Sequence, residues 1–397
     1  MRERRRVLAS LVIISVLLAG LVALLSHPFD PDAISGDHLF YRSMSYNLFA
    51  VTRPDLNVSA PSSGGQMWKD GLNRQPPYVY RVVTPLLARG IAYATGINTA
   101  YYLISFWALV GAAVFIGLAI YEMTGSQVPS VAGAILFLSN WWTARFNLAD
   151  YMLTDPIAFF LNAIAVWALV RRKRTLFFVV CAVGLLNKET MLPMLVAYPM
   201  SELLVDHRVP RSSIAFLIGI PVAMSAFRHA IPVPDGGYSL LGSFSGGMTS
   251  AKWVLLEGLT VFGAVAPATI RRVRGSRLMV SLLPPVVACV LGAWFVGPGI
   301  TDQGRALVHA LPAVCVVVLW RWPTSPLQRL LTLAPVPLAA VSFMSYRFRG
   351  GPTAHFLAVL LVPFLLAAAA EMWLFFIQKR QPQGLSREVT SPSSGSG

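Results

Sequence analysis

Charge is what this 397-residue sequence has least of: Asp, Glu, Lys and Arg together make up 12%, with 17 acids against 32 bases. A water-facing surface needs about twice that share of charge. A soluble globular protein, a disordered chain, a coiled coil and a large soluble catalytic domain are all excluded. Cysteine is almost absent. Cys181, Cys289 and Cys315 each lie inside an apolar run, with no spacing suited to a disulfide or a thiolate metal site. No tandem or inverted repeat is found, which weighs against the repeat-built transporters.

Apolar residues fill the space left by charge, at 55% with a mean hydropathy of +0.62. A membrane span needs roughly 20 apolar residues, and such runs recur along the chain. The class expected is an all-α polytopic transmembrane helical bundle. Its net charge of +15 would suggest nucleic acid in a soluble protein. In a membrane protein it marks the arginines that fix topology, and no nucleic-acid partner is expected. The Arg-rich composition, 27 Arg to 5 Lys, points to a bacterial cytoplasmic membrane.

Arg2, Arg4, Arg5 and Arg6 precede a run, 7–26, longer than a signal-peptide core, so it is retained as a first span. Further basic clusters stand at Arg171, Arg172, Lys173 and Arg174, at Arg271, Arg272, Arg274 and Arg277, and at Lys379 and Arg380. Placing all four on the cytoplasmic side gives about 12 spans (10–13), with both termini cytoplasmic. They run 7–26, 99–121, 129–145, 151–170, 175–187, 190–204, 213–231, 251–269, 278–297, 305–320, 329–345 and 355–377. The pair 175–187 and 190–204 is short enough to be a re-entrant turn at Asn187, Lys188 and Glu189 instead. On this thread bases exceed acids 19 to 6 inside and 13 to 11 outside. Residues 1–377 form one domain, with 27–98 as its first outer loop, and 378–397 are a disordered cytoplasmic tail. Two pieces of that loop, 38–51 and 82–94, have the helical period but too much polarity or too little length to span, and read as amphipathic surface helices.

An ionisable residue at mid-membrane costs roughly 2.5 to 3.5 kcal/mol on insertion scales, so each calls for a partner or a use. Those of the spans and outer loops gather near the outer surface: Asp30, Asp32 and Asp37 after the first span, Arg145, Asp150 and Asp155, Lys188 and Glu189, and Asp302, Arg305 and His309. Asp37 follows Gly36 at the position of a helix N-cap, and shares a face with Tyr41; a carboxylate beside a membrane cavity also suits a general base. Asp302, Arg305 and His309 stack on one helix face at spacings of three and four, which makes an anion site, or else an Arg reaching the headgroups with Asp302 as cap. Lys188 and Glu189 are either part of that site or an ion pair closing a turn. Arg81 is either a further cation or an interfacial anchor. Several cations around one cavity suit a phosphate.

Four segments carry a family resemblance: GDHLFYRSMSYN around Asp37, PYVYRVVTPLLAR around Arg81, LLNKETMLP around Lys188 and GRALVHALPAV around Arg305. In this order they resemble the GT-C superfamily of integral-membrane glycosyltransferases, which use polyprenyl-phosphate sugars. The first loop has no Asp-Glu pair and only Asp30 and Asp32 as Asp-x-Asp, so the family's metal dependence is in doubt for this chain: a divalent metal stays open but is not indicated, and no other cofactor is expected. The large soluble C-terminal domain of some members is also missing.

The resemblance implies a GT-C-like bundle and transfer from a polyprenyl-phosphate-linked donor to a lipid or cell-envelope glycan acceptor at the outer face, with inversion. Asp37 would be the base, with Asp32 or Asp150 as alternatives. Arg305, Lys188, Arg81 and His309 would hold the donor phosphate, and Asp302, Glu189, Tyr41 and His38 would meet sugar or acceptor. The alternative is a transporter or flippase of a lipid-linked or anionic solute. A third reading, a glycan acyltransferase or ligase, would rest on His38.

Overall fold

The computed structural model describes residues 2–26, 41, 80–230, 251–295, 300–339 and 354–380, and every regular element among them is helical. The helices are α1 (Arg2–Leu25), α2 (Val83–Thr95), α3 (Ile97–Thr124), α4 (Gln127–Leu138), α5 (Phe146–Ala149), α6 (Asp155–Val170), α7 (Arg174–Asn187), α8 (Ala197–Asp206) and α9 (Arg211–Ala230). They continue as α10 (Ala251–Phe262), α11 (Ala266–Val273), α12 (Arg277–Val280), α13 (Leu283–Phe295), α14 (Ile300–Val308), α15 (Leu311–Leu319), α16 (Pro326–Leu333) and α17 (Ala354–Arg380). A π-helical turn, Trp141–Arg145, precedes α5, and a 3₁₀ helix, Glu189–Val196, follows α7.

Among the described residues, four stretches are long and apolar enough to cross a membrane: Arg2–Leu25, Ile97–Thr124, Arg211–Ala230 and Arg277–Trp294. They differ in what surrounds them. α3 is the central element, buried over most of its length against α6, α4, α2 and α1. Gly111, Gly117 and Gly133 let the neighbours close on it: a Cβ at Gly111 would stand 2.6 Å from the Phe160 ring, and one at Gly133 would overlap Ile120. α9 is the opposite case, with Ile214, Phe216, Ile218 and Val222 all exposed. In water such a helix would be an error of patterning; in hydrocarbon it is a surface.

Several expected spans are interrupted, two of them at prolines. The stretch 251–269 divides into α10 and α11, and 305–320 begins inside α14, breaks at His309 and Ala310 and resumes as α15. Pro267 and Pro312 sit in the first turns of α11 and α15. A proline there lacks the N–H that would continue the preceding helix, but it suits the first turn of a new one. Between 175 and 204 the chain is neither two uniform spans nor a simple turn: Pro193 falls inside the 3₁₀ segment that separates α7 from α8.

The two ends of the bundle are chemically distinct. At one end Glu122, near the close of α3, binds Arg4 at 2.8 Å and Arg171 at 2.9 Å. Arg174 reaches Glu202 at 2.7 Å, and Arg172 and Arg277 lie beside α8 through Ser201 and His207. The basic cluster at 271–277 is therefore more than a set of solvated anchors: Arg272 is buried and, with Arg271, pairs with Glu371 of α17. The opposite end, where α6 starts and α7 stops, carries the cluster below. Most of the first outer loop and the tail after Arg380 fall outside the described residues.

Candidate functional site

The centre of the cluster is Asp155, the first residue of α6, with Pro156 fixing the turn behind it and its carboxylate at the positive end of the helix dipole. Asp155 is 1% exposed. One oxygen accepts from Lys188 and from Nε2 of His309 at 2.9 Å, and the other accepts from Arg305 at 3.1 Å. A buried carboxylate without partners would be neutral or expelled. Here it is held by three groups from two distant parts of the chain.

A second carboxylate sits alongside. Glu189 binds Arg81 at 3.1 Å and Arg228, in the last turn of α9, at 3.0 Å. Arg81 also donates to the Tyr41 hydroxyl at 2.8 Å, and the Tyr41 carbonyl accepts from Tyr101 at 2.6 Å. Arg228 lies over the Tyr80 ring at 5.0 Å. Adjacent Lys188 and Glu189 thus point to different partners, and the sequence option of a local ion pair between them is not what forms. Lys188 is in extended backbone between α7 and the 3₁₀ helix, which sends successive side chains to opposite sides.

Asn187 ties the two halves together. Its Nδ2 donates to the Thr154 carbonyl at 2.8 Å, next to Asp155, and its Oδ1 accepts from Thr84 at 2.6 Å, three residues beyond Arg81. The backbone of Val82 bonds to Leu186 at 2.9 Å, fixing the same register. On the other side, Gly304 admits Trp142: a Cβ there would overlap the indole ring. The close approach seats α14 against the π-helical turn and positions Arg305 one residue on.

In the ion pairs among the described residues, four cations, Arg81, Lys188, Arg228 and Arg305, face two carboxylates, Asp155 and Glu189. Arg81, Lys188 and Glu189 lie in breaks outside the long apolar helices. Burial works against ionisation of Glu189, but Arg81 and Arg228 outweigh it and hold the carboxyl below its ordinary range. Burial also opposes the Arg81 charge, and Glu189 and Tyr41 more than compensate. Burial pushes the Lys188 ammonium down to about 8, with Arg305 and Arg81 adding to the fall and Asp155 opposing it. Around the cluster, Nδ1 of His309, Oγ1 of Thr190 and Nε of Arg228 are buried with no hydrogen-bond partner among the described residues. Such atoms are few in folded proteins and usually await water or a ligand.

The structure brings together Arg81, Lys188, Glu189, Arg305, His309 and Tyr41 from the sequence candidates. Asp150 stands at the C-terminal end of α5, five residues before Asp155 and partly exposed. Asp302 lies in α14, but its side chain, like Asp32, Asp37 and His38, lies outside the described residues. Two members of the cluster have no role in the sequence reading, although Asp155 stands in its outer group of ionisable residues. Asp155 has the clearer sequence signal, an acid directly before a proline at the head of a 16-residue apolar helix. Arg228 has none beyond being a cation near the end of a span. Among the described residues no group of three His, Cys, Asp or Glu side chains is arranged to hold a metal ion.

Comparison of the chain with family models, with curated proteins and with solved structures finds no match in any of the three. Among the described residues, fold and site together define an all-helical protein with membrane-length apolar helices and a buried ion cluster, richer in cations than in carboxylates, at one end of its bundle.

Proposed function

We propose that this chain is a GT-C-like membrane glycosyltransferase that moves a sugar from a polyprenyl-phosphate donor to a lipid or cell-envelope glycan acceptor. The observation that carries the reading is the convergence of Arg81, Lys188, Arg228 and Arg305 on two carboxylates at one end of an apolar bundle. A surplus of cations on oriented side chains stabilises a phosphate oxyanion, and preorganisation makes that stabilisation available as charge develops on the leaving group.

In the reaction the acceptor hydroxyl loses its proton to a carboxylate, Asp37 by its motif. Its oxygen bonds to the anomeric carbon as the bond from that carbon to the phosphate oxygen breaks. Polyprenyl phosphate leaves with the electron pair and an added negative charge, which the arginines and Lys188 neutralise. One displacement inverts the anomeric centre and needs one base. Asp155 and Glu189 act in this scheme as positioning residues, since a cation tethered on one side presents its remaining N–H groups on the other.

The twelve-span thread with both termini in the cytoplasm belongs to the same proposal. It is supported by Arg4, Arg171, Arg172 and Arg174 sharing the end of the bundle opposite Asp155. The site then faces the exterior of a bacterial cytoplasmic membrane. The test is transfer of labelled sugar from polyprenyl phosphate to membrane acceptor by the purified protein in liposomes, with release of polyprenyl phosphate. Wild-type activity in Asp37→Asn removes Asp37 as base. Solute flux without any sugar transfer replaces the enzyme by the transporter.

A further inference from the structure

At the basic end, away from the Asp155 cluster, a pocket opens between α11, the loop after α15 and α16. Arg271, Arg272, Trp320, Arg321 and Thr332 line it, with Gly275 at one wall. It holds about 60 Å³ of space, room for roughly four or five water-sized atoms. That is space for a phosphate group.

The pocket is built rather than incidental. Arg272 is 7% exposed, donates to the Val318 carbonyl and pairs with Glu371. Trp320 donates its indole N–H to the Arg272 carbonyl at 3.3 Å. Gly275 lets that ring lie flat, since a Cβ there would meet it at 3.1 Å. Arg329 fixes the loop by donating to the Pro323 carbonyl at 2.9 Å. Three guanidinium groups line or border the pocket, and among the described residues Glu371 is the carboxylate paired with two of them. Thr332 is buried in the pocket wall, and Arg321 is exposed at its rim. One turn back on the face of Thr332, the amide nitrogen of buried Gln328 lacks a partner among the described residues.

We infer that this pocket binds a phosphate group, supplied by the headgroup of an anionic lipid or by a free phosphate anion. Basic pockets between membrane helices favour anionic headgroups on the side carrying the positive excess, and a Trp at the mouth suits the interfacial depth. Arg271 and Arg272, anchored by Glu371, bring guanidinium charge to the pocket wall, and exposed Arg321 can meet phosphate oxygens from the rim. The site is independent of the proposed transfer reaction, because α15 separates it from Asp155: His309 precedes that helix and Trp320 ends it.

The experiment titrates the full-length protein in neutral detergent with dioctanoyl phosphatidic acid and, separately, with inorganic phosphate, reading the thermal unfolding midpoint. Arg321→Ala and Thr332→Val are chosen because neither supports the buried ion pairs. The expected result is a saturable rise in midpoint whose half-saturation moves at least tenfold upward in Arg321→Ala. A rise with the lipid alone identifies a headgroup; equal half-saturation with inorganic phosphate identifies the free anion. The inference is overturned if neither variant changes either titration, or if Arg228→Gln, at the far end, removes the effect while Arg321→Ala keeps it.

Discussion

Arg305 donates to Asp155 at 3.1 Å across 150 residues of chain, and the contact joins α14 to the first turn of α6. It is a partly buried cation on a fully buried anion, and Lys188 and His309 share the same carboxylate. Removing one member of such a set leaves the others uncompensated, so its energetics are those of a network.

Asp155→Asn should therefore lower stability by about 3 to 5 kcal/mol, the usual cost of breaking a buried pair from one side. Lys188→Met should cost less when added to Asp155→Asn than on its own, because the buried ammonium goes with its partner. Unfolding midpoints of the two single variants and the double variant in detergent check this. Strict additivity would show that the two side chains do not share one network.

Arg228→Gln should raise KM for the polyprenyl-phosphate sugar and leave the fold intact, because Arg228 is partly exposed and Glu189 keeps Arg81. Loss of one charge-assisted contact is worth about 1.5 to 3 kcal/mol, or roughly ten- to hundredfold. Steady-state transfer in liposomes measures it. An unchanged KM would take Arg228 out of the donor site.

Donor affinity should fall as pH rises through about 8, where Lys188 loses its proton. The sign follows from the lowered value: the ammonium is present below it and absent above it, and only the charged form attracts a phosphate. Lys188→Arg should move that alkaline limb upward, since guanidinium keeps its charge. A KM profile from about pH 6 to about pH 10 that is identical in both proteins would show that Lys188 is not the titrating group.

Gly304→Ala should be far more damaging than an alanine in a nine-residue helix would suggest, because its Cβ meets the Trp142 ring. Either α14 withdraws, carrying Arg305 from Asp155, or Trp142 leaves a fully buried position. Overpacking of this kind costs about 1 to 3 kcal/mol. Trp142→Leu in the same background should recover part of the loss, measured as unfolding midpoint and as donor KM.

The orientation of the bundle is open to direct labelling. Cysteine at Lys173, exposed at the basic end, should react with an impermeant maleimide only in inverted vesicles. Cysteine at Tyr93, 85% exposed at the other end, should react only in right-side-out vesicles. The native cysteines are buried and provide a quiet background. Both positions labelling from one side would break the thread.

Much of the site is legible in the sequence, because the cost of burying charge limits where it is found. Arg81, Lys188, Arg305 and His309 stand out as ions at the edges of apolar runs, and all four sit in one cluster. Their pairing is not legible. Sequence spacing groups Lys188 with Glu189 and Asp302 with Arg305, as neighbours on one helix would be. The extended backbone at Lys188 separates the first pair; Arg305 meets Asp155, a partner 150 residues away that no local spacing indicates, while the Asp302 side chain lies outside the described residues.

By itself the sequence determined that this chain is helical and membrane-length in its apolar runs, since composition decides how much surface can face water. It also showed basic clusters at 171–174 and 271–277, since those are a matter of order along the chain. Tertiary structure alone decided which acid meets which base. Asp155 and Glu189 divide five partners between them, and Arg272, by sequence one of a row of solvated anchors, turns inward to Glu371. The reason is that a buried ion is fixed by whatever counter-charge packing brings within about 3 Å, and packing joins residues far apart in the chain.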